Sequence, residues 1–426
     1  MKGSPSTRLL GFLLLAGSQL FVGHAYSQET TTIPLRHSEP PPPLQLRSEG
    51  VSGMKYLSPM VGWVEVGQRL LLTTDNGEHW QDITPPGTNN QIIFKIFFLD
   101  NVHGWVLFAK GIGIPSFTLA RTEDEGRTWT SSEVETSLFE GLKNIIARPS
   151  RLWFSDLQHG WMQWEMKTSS AFSVGRLLAT EDGGNTWVEL PSPPSAGEFR
   201  FFNLQEGWMV GGAASNELWR TYDGGHTWSW VEVPKPSSCK SCRPSYSAPG
   251  YLDTSVLAVK VRFSDDSVLR GRYVNTIYDT HDGGNSWHLS EQHERTDSKT
   301  ELSSITDSGF VHITSDSKLG IEVRTATRKT IAPSPSGLPR RGSVAASDFV
   351  DETNGWLVYQ TLRCDRREKQ GSEKNNFFEL GKVQTGSRCV QGTIRNDLVS
   401  TTGGGNTFRV ITPIASDHAA NDGAKR

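Results

Sequence analysis

Five aspartates, Asp75, Asp124, Asp182, Asp223 and Asp282, each follow a Thr by two residues and precede a Gly by two. Five tryptophans, Trp80, Trp129, Trp187, Trp228 and Trp287, close the same eight-residue string, Thr-x-Asp-x-Gly-x-(Thr/Ser/His)-Trp. Carboxylates repeated in this way could serve hydrolysis or hold calcium. Glycoside hydrolysis needs two carboxylates converging on one bond, and calcium takes six to eight oxygens. Only one carboxylate position beside glycine recurs in every string, and the copies recur about fifty residues apart, as structural repeats do. The chemistry that fits is local. Asp can accept N–H groups of its own turn, Gly supplies a positive φ, and Trp carries a large apolar body between neighbouring units. The five aspartates and five tryptophans are therefore expected to be scaffold.

The histidines follow the same repeat. His79, His226 and His281 lie inside the strings, and His103 and His159 precede a Gly-Trp pair. There is no His-Glu-x-x-His zinc signature. No catalytic residue, cofactor site or metal site is assigned.

The elements that must position these residues follow from the spacing. A degraded copy with Gly403 in place of Asp runs from Thr401 to Phe408, and Gly-Trp pairs precede most copies, at Trp63, Trp105, Trp161, Trp208 and Trp356. Gly309-Phe310 is a softened pair ahead of a unit that has lost its box near Arg324. An aliphatic residue stands three before each first Thr: Leu70, Leu119, Leu177, Leu218, Ile277 and Leu398. That fixed register marks a half-buried strand. Seven units of about 52 residues predict an all-β fold, a seven-bladed β-propeller of four-stranded antiparallel blades. Each box would be the turn between a blade's third and fourth strands.

The boxes resemble the Asp-box (BNR) repeat shared by sialidases, the sortilin ectodomain and several glycoside hydrolases. Gly-Trp early and Thr-Asp-Gly-Gly-x-Thr-Trp late in a unit is similar to the photosystem II assembly and stability factors. That resemblance, over roughly residues 50 to 413, implies a non-enzymatic propeller that binds another exported or membrane protein and serves its assembly. The alternative it leaves is a carbohydrate-active or glycan-binding propeller. A sialidase would place Arg-Ile-Pro ahead of the first blade, whereas this chain has Ile33-Pro34-Leu35-Arg36.

Composition bounds the rest. The chain has 426 residues and a formal net charge of −3 at pH 7, which excludes the strongly basic surface of a general nucleic-acid binder. Residues 1–27 read as a cleaved signal peptide, with Lys2 and Arg8 before an apolar run and Ala25 and Ser27 at the small positions. The run is short for a membrane span. The expected location is exported, periplasmic or lumenal. Residues 28–47 form a Pro-rich linker, 48–414 the propeller and 415–426 a disordered tail.

Four cysteines suit an oxidising compartment. Cys239 and Cys242 form a Cys-x-x-Cys, and Cys364 and Cys389 flank a charged insertion. Two local disulfides are the plain reading. A four-cysteine zinc site requires the pairs to converge, and a redox motif would open a helix. One charge feature departs from the repeat. Arg324, Arg328, Lys329, Arg340 and Arg341 form a basic zone without an acidic residue between them. It is the candidate docking surface for an acidic segment of a partner.

Overall fold

The computed structural model describes residues 45–88, 91–109, 116–134, 147–167, 173–252, 255–264, 273–295, 301–306, 309–316, 320–325, 328–333, 338, 342–369 and 387–413. The expected signal peptide and tail, most of the linker, and Arg340 and Arg341 lie outside them. The first strand begins at Gln45, within the segment expected as linker.

Short antiparallel strands follow one another in fours. The first unit is β1 to β4 (Gln45–Ser58, Val61–Val66, Arg69–Thr73, Gln81–Asp82). The second is β5 to β8 (Ile92–Phe98, Gly104–Ala109, Phe117–Thr122, Thr130–Val134). The third is β9 to β12 (Ala147–Phe154, Gly160–Lys167, Ser173–Thr180, Val188–Glu189). The fourth is β13 to β16 (Phe199–Phe201, Gly207–Gly211, Glu217–Thr221, Ser229–Val231).

The fifth unit splits its first strand into β17 (Arg243–Tyr246) and β18 (Gly250–Tyr251), then continues as β19 to β21 (Leu257–Ser264, Tyr273–Thr280, His288–Arg295). The sixth is β22 to β25 (Glu301–Thr306, Gly309–Asp316, Gly320–Arg324, Lys329–Ala332). The last is β26 to β29 (Gly342–Phe349, Gly355–Lys369, Ser387–Thr401, Arg409–Val410). Strand order within each sheet follows chain order, and the first and last units merge into one eight-stranded sheet.

Every box lies between the third and fourth strands of its unit. The aliphatic residues three before each box are all buried, Leu70, Leu177, Leu218 and Leu398 completely. The core lies between units, not within them. One apolar cluster joins Trp105 and Phe154 of the second and third units, another Trp208 and Val259 of the fourth and fifth. A further cluster joins Trp356 and Leu398 of the last unit to Tyr56 and Leu71 of the first. Units that pack face to face and return to their starting point make a β-propeller.

The chain ends are clasped by backbone pairing. Residues Gln45 to Gly50 of β1 run parallel to Gln391 to Asn396 of β28, and from Val51 the same strand pairs antiparallel with β2. The change of partner falls at Gly50, whose φ is +90°. A Cβ there would run into the carbonyl oxygen of Asn396, so both the bend and the close approach require glycine.

Candidate functional site

Each box carboxylate is engaged by its own turn. In the third unit the Thr180 hydroxyl donates to Asp182 at 2.8 Å, and the Thr186 N–H and hydroxyl donate at 2.9 and 2.6 Å. The Gly184 N–H donates to Thr180 Oγ1 at 2.9 Å, which closes the turn. Asp124, Asp223 and Asp282 repeat the pattern with Thr128, Thr227 and Ser286. At Asp75 the role falls to His79, through its N–H at 2.9 Å and its ring at 2.6 Å.

These donors favour the ionised form. Burial works against ionisation of Asp223, but hydrogen bonds from Thr227 and Thr221 outweigh it and hold the carboxyl at about 2. Asp182 is lowered by the same balance of burial against Thr186 and Thr180. Asp282 is lowered chiefly by the Ser286 hydroxyl, Asp124 by that of Thr128, and Asp75 by the N–H of His79.

The box tryptophans are less buried than those of the Gly-Trp pairs. Trp129, Trp187 and Trp228 fold back so that the indole N–H meets the carbonyl of Gly126, Gly184 and Gly225 of the same box, each at 3.1 Å. Trp287 is buried against Trp208. Trp80 packs against Trp356 of the last unit.

The Gly-Trp pair is the residue set that reaches across. Trp105 donates to Gly183 O at 3.0 Å and Trp161 to Gly224 O at 2.9 Å, each in the box of the next unit. Trp356 donates to Asn76 Oδ1 at 2.8 Å, which carries the series from the last unit to the first. Arg121 and Arg220 cover Trp105 and Trp208.

A second recurrent turn precedes these pairs. Asp100, Asp156, Asn203 and Asp351 each accept two backbone N–H groups, two and three residues on. His103 and His159 close it by binding Asp100 and Asp156 at 2.8 and 2.9 Å. The signal was in the sequence, as Asp or Asn four residues before Gly-Trp.

Cys239 and Cys242 are bonded to each other in a short 3-10 turn with their Cα atoms 5.3 Å apart. Cys364 is also disulfide-bonded. It stands on β27, and Cys389 on the adjacent β28 is opposite Arg367, three residues on. Among the described residues no group of three or more His, Cys, Asp and Glu could hold a metal ion.

Of the basic zone, Arg324, Arg328 and Lys329 lie among the described residues, with Arg324 opposite Lys329 across β24 and β25. Arg324 turns to His293, with 2.6 Å between Nη1 and Nε2. Arg328 donates to the Glu352 carbonyl at 2.7 Å and pins the last unit, and Lys329 pairs with Glu322 at 3.1 Å.

What the sequence did not disclose is a central cavity of about 990 Å³ that every unit lines. Tyr56, Phe98, Trp153, Arg200, Tyr251, Ser303 and Asp348 represent the units in order. Asp348 pairs with Lys55 at 3.0 Å and accepts the Tyr56 N–H at 2.8 Å, while Glu198 faces Arg151 at 3.6 Å. Lys260 donates to Ser303 Oγ at 2.6 Å, and Ser303 lies 3.0 Å from His312 Nδ1. The buried His312 and its neighbour His293 converge on Glu291, at 3.4 and 3.3 Å. The hydrogen bond from His312 holds Glu291 below the usual carboxylate range. This network ties the fifth unit to the sixth behind the cavity wall.

Among the described residues no helix is long and apolar enough to cross a membrane. No protein-family model matches the chain. In sequence it is similar to the photosystem II assembly lipoprotein Ycf48 of Synechococcus sp. (strain CC9902), at 23% identity over 241 residues. That alignment covers 55% of this chain and 65% of the relative, just under two thirds of its length. Among solved structures, YCF48 from Cyanidioschyzon merolae matches at a TM-score of 0.42 and 16% identity, covering 76% of this chain and 88% of that one. YCF48 bound to D1 peptide gives 0.41 and 16%, covering 75% and 81%. A GH74 xyloglucanase from Xanthomonas campestris gives 0.35 and 13%, covering 84% and 64%. Likeness at these scores bears on neither ligand nor partner.

Proposed function

We propose that this chain is an exported, non-enzymatic propeller of seven blades, the eight-stranded sheet counting as two, that binds another protein and serves its assembly or stability. The observation that carries this reading is the sequence similarity to the Ycf48 assembly lipoprotein over 241 residues. The box carboxylates support it, because each is taken up by its own turn. The proposed location is periplasmic or lumenal, reached through the leader at residues 1–27, and the partner is an exported or membrane protein. Cys364 and Cys389 are proposed to pair and close the insertion between β27 and β28.

The partner-binding residues in this reading are those of the basic zone, Arg324, Arg328, Lys329, Arg340 and Arg341. Guanidinium forks suit a carboxylate-bearing segment, and attraction between such surfaces weakens with salt. An affinity pull-down from the native envelope at low ionic strength tests it. Arg340→Glu with Arg341→Glu should reduce capture of the partner and leave the melting temperature in place. An unchanged capture profile sinks the docking surface.

A second reading, a carbohydrate-active propeller, is favoured by one observation: Glu198, Asp348, Arg200 and Tyr251 share the aromatic-lined cavity. Release of reducing ends from a polysaccharide panel, lost in Glu198→Gln and Asp348→Asn, would establish it in place of the first.

A further inference from the structure

We propose that the central cavity is a binding site for a small organic carboxylate, received by the guanidinium of Arg200. The proposal does not depend on the partner-binding reading.

Arg200 stands on β13 and lines the cavity. Its Cζ lies over the ring of Trp153, 5.6 Å from the centroid. Among the described residues its guanidinium makes no hydrogen bond and no ion pair. The two cavity carboxylates near it are already engaged, Glu198 by Arg151 and Asp348 by Lys55 and the Tyr56 N–H. Burial pushes Arg200 below its ordinary value. A guanidinium does not give up its proton in a protein, so Arg200 keeps its charge at the cavity wall.

A guanidinium on a cavity wall with no hydrogen bond or ion pair among the described residues is a group prepared for an anion. The face against Trp153 leaves the in-plane N–H groups for a ligand, and two parallel N–H donors match a carboxylate. Phe97, Phe202 and Leu302 line the cavity, are partly exposed, and offer apolar surface to the rest of the molecule. The ligand is therefore a carboxylate on an apolar or sugar-like body.

The test is thermal melting of the full chain in benzoate, in glucuronate and in chloride at matched ionic strength, for the wild type and for Arg200→Met and Arg200→Gln. Wild type should melt higher in at least one carboxylate, by on the order of 2 °C at millimolar concentration. The probe that acts tells an aromatic acid from a sugar acid. Both variants should lose that rise and, in chloride, melt at or above the wild type, because an unpaired charge has been removed. A wild type that responds to neither probe overturns the proposal. So do variants that melt below the wild type in chloride, or fail to fold, since Arg200 would then be a structural residue.

Discussion

At the scale of the residue, a box aspartate acts as a turn clamp, and its chemistry can be read from its donors. Asp182 collects the Thr180 hydroxyl and both groups of Thr186. Asp182→Ala removes that network at a half-exposed site and should destabilise the fold by about 1–2 kcal/mol, measured by chemical denaturation. Capture of a partner below the melting range should not change. Acid titration reads the same clamps together. The folded carboxyl of Asp223 sits at about 2 against an ordinary 3.8, so its contribution is complete above the ordinary value and lost as pH falls towards 2. Asp75, Asp124, Asp182 and Asp282 shift in the same direction. Melting temperature should therefore hold down to about pH 4 and fall steeply below it. In Asp223→Asn the acid limb should be shallower. A melting curve flat to pH 2 would refute the assignment.

At the scale of the element, the box was legible and its neighbour only half so. Thr, Asp and Gly in the boxes, and Trp129, Trp187 and Trp228, interact within five residues of one another, and interactions that short leave a spacing in the sequence. The Gly-Trp pair left a spacing too, but its partner lies in the next unit, 78 residues away for Trp105 and Gly183. Sequence order does not record that distance, so the pair marked a unit without revealing its contact. The longest instance is the bond from Trp356 to the buried Asn76, across 280 residues. Trp356→Phe keeps an aromatic body and leaves Asn76 Oδ1 without its donor. The expected loss is about 1–3 kcal/mol in a denaturant titration, with earlier proteolytic cutting between the first and last units. If the midpoint holds within error, the bond contributes no stability.

At the scale of the whole molecule, the repeat of boxes and Gly-Trp pairs was enough to announce a propeller and could not announce its cavity. Arg200 and Lys260 occupy ordinary strand positions and Glu198 directly precedes β13, and a polar residue there reads as solvent-facing whether it meets bulk water or a central chamber. Only the return of the last unit to the first decides which. The parallel pairing of residues 45–50 with 391–396 holds that return, and Gly50 is its bend. Gly50→Val forces a side chain into a positive φ and against Asn396. Amide hydrogens in both paired segments should then exchange faster while those of the boxes keep their protection. Equal protection in the two proteins would show that the bend tolerates a side chain.

That clasp also sets an order of events at the ribosome. The bond from Asn396 Nδ2 to Val51 O joins residues 345 positions apart. At translation speeds of roughly 5–20 residues per second, the first strand waits on the order of half a minute for its partner to be made. Through that interval the edge of β1 that will meet β28 is an open template for any other strand. The growing chain is thus most vulnerable to mispairing at the end that was synthesised first.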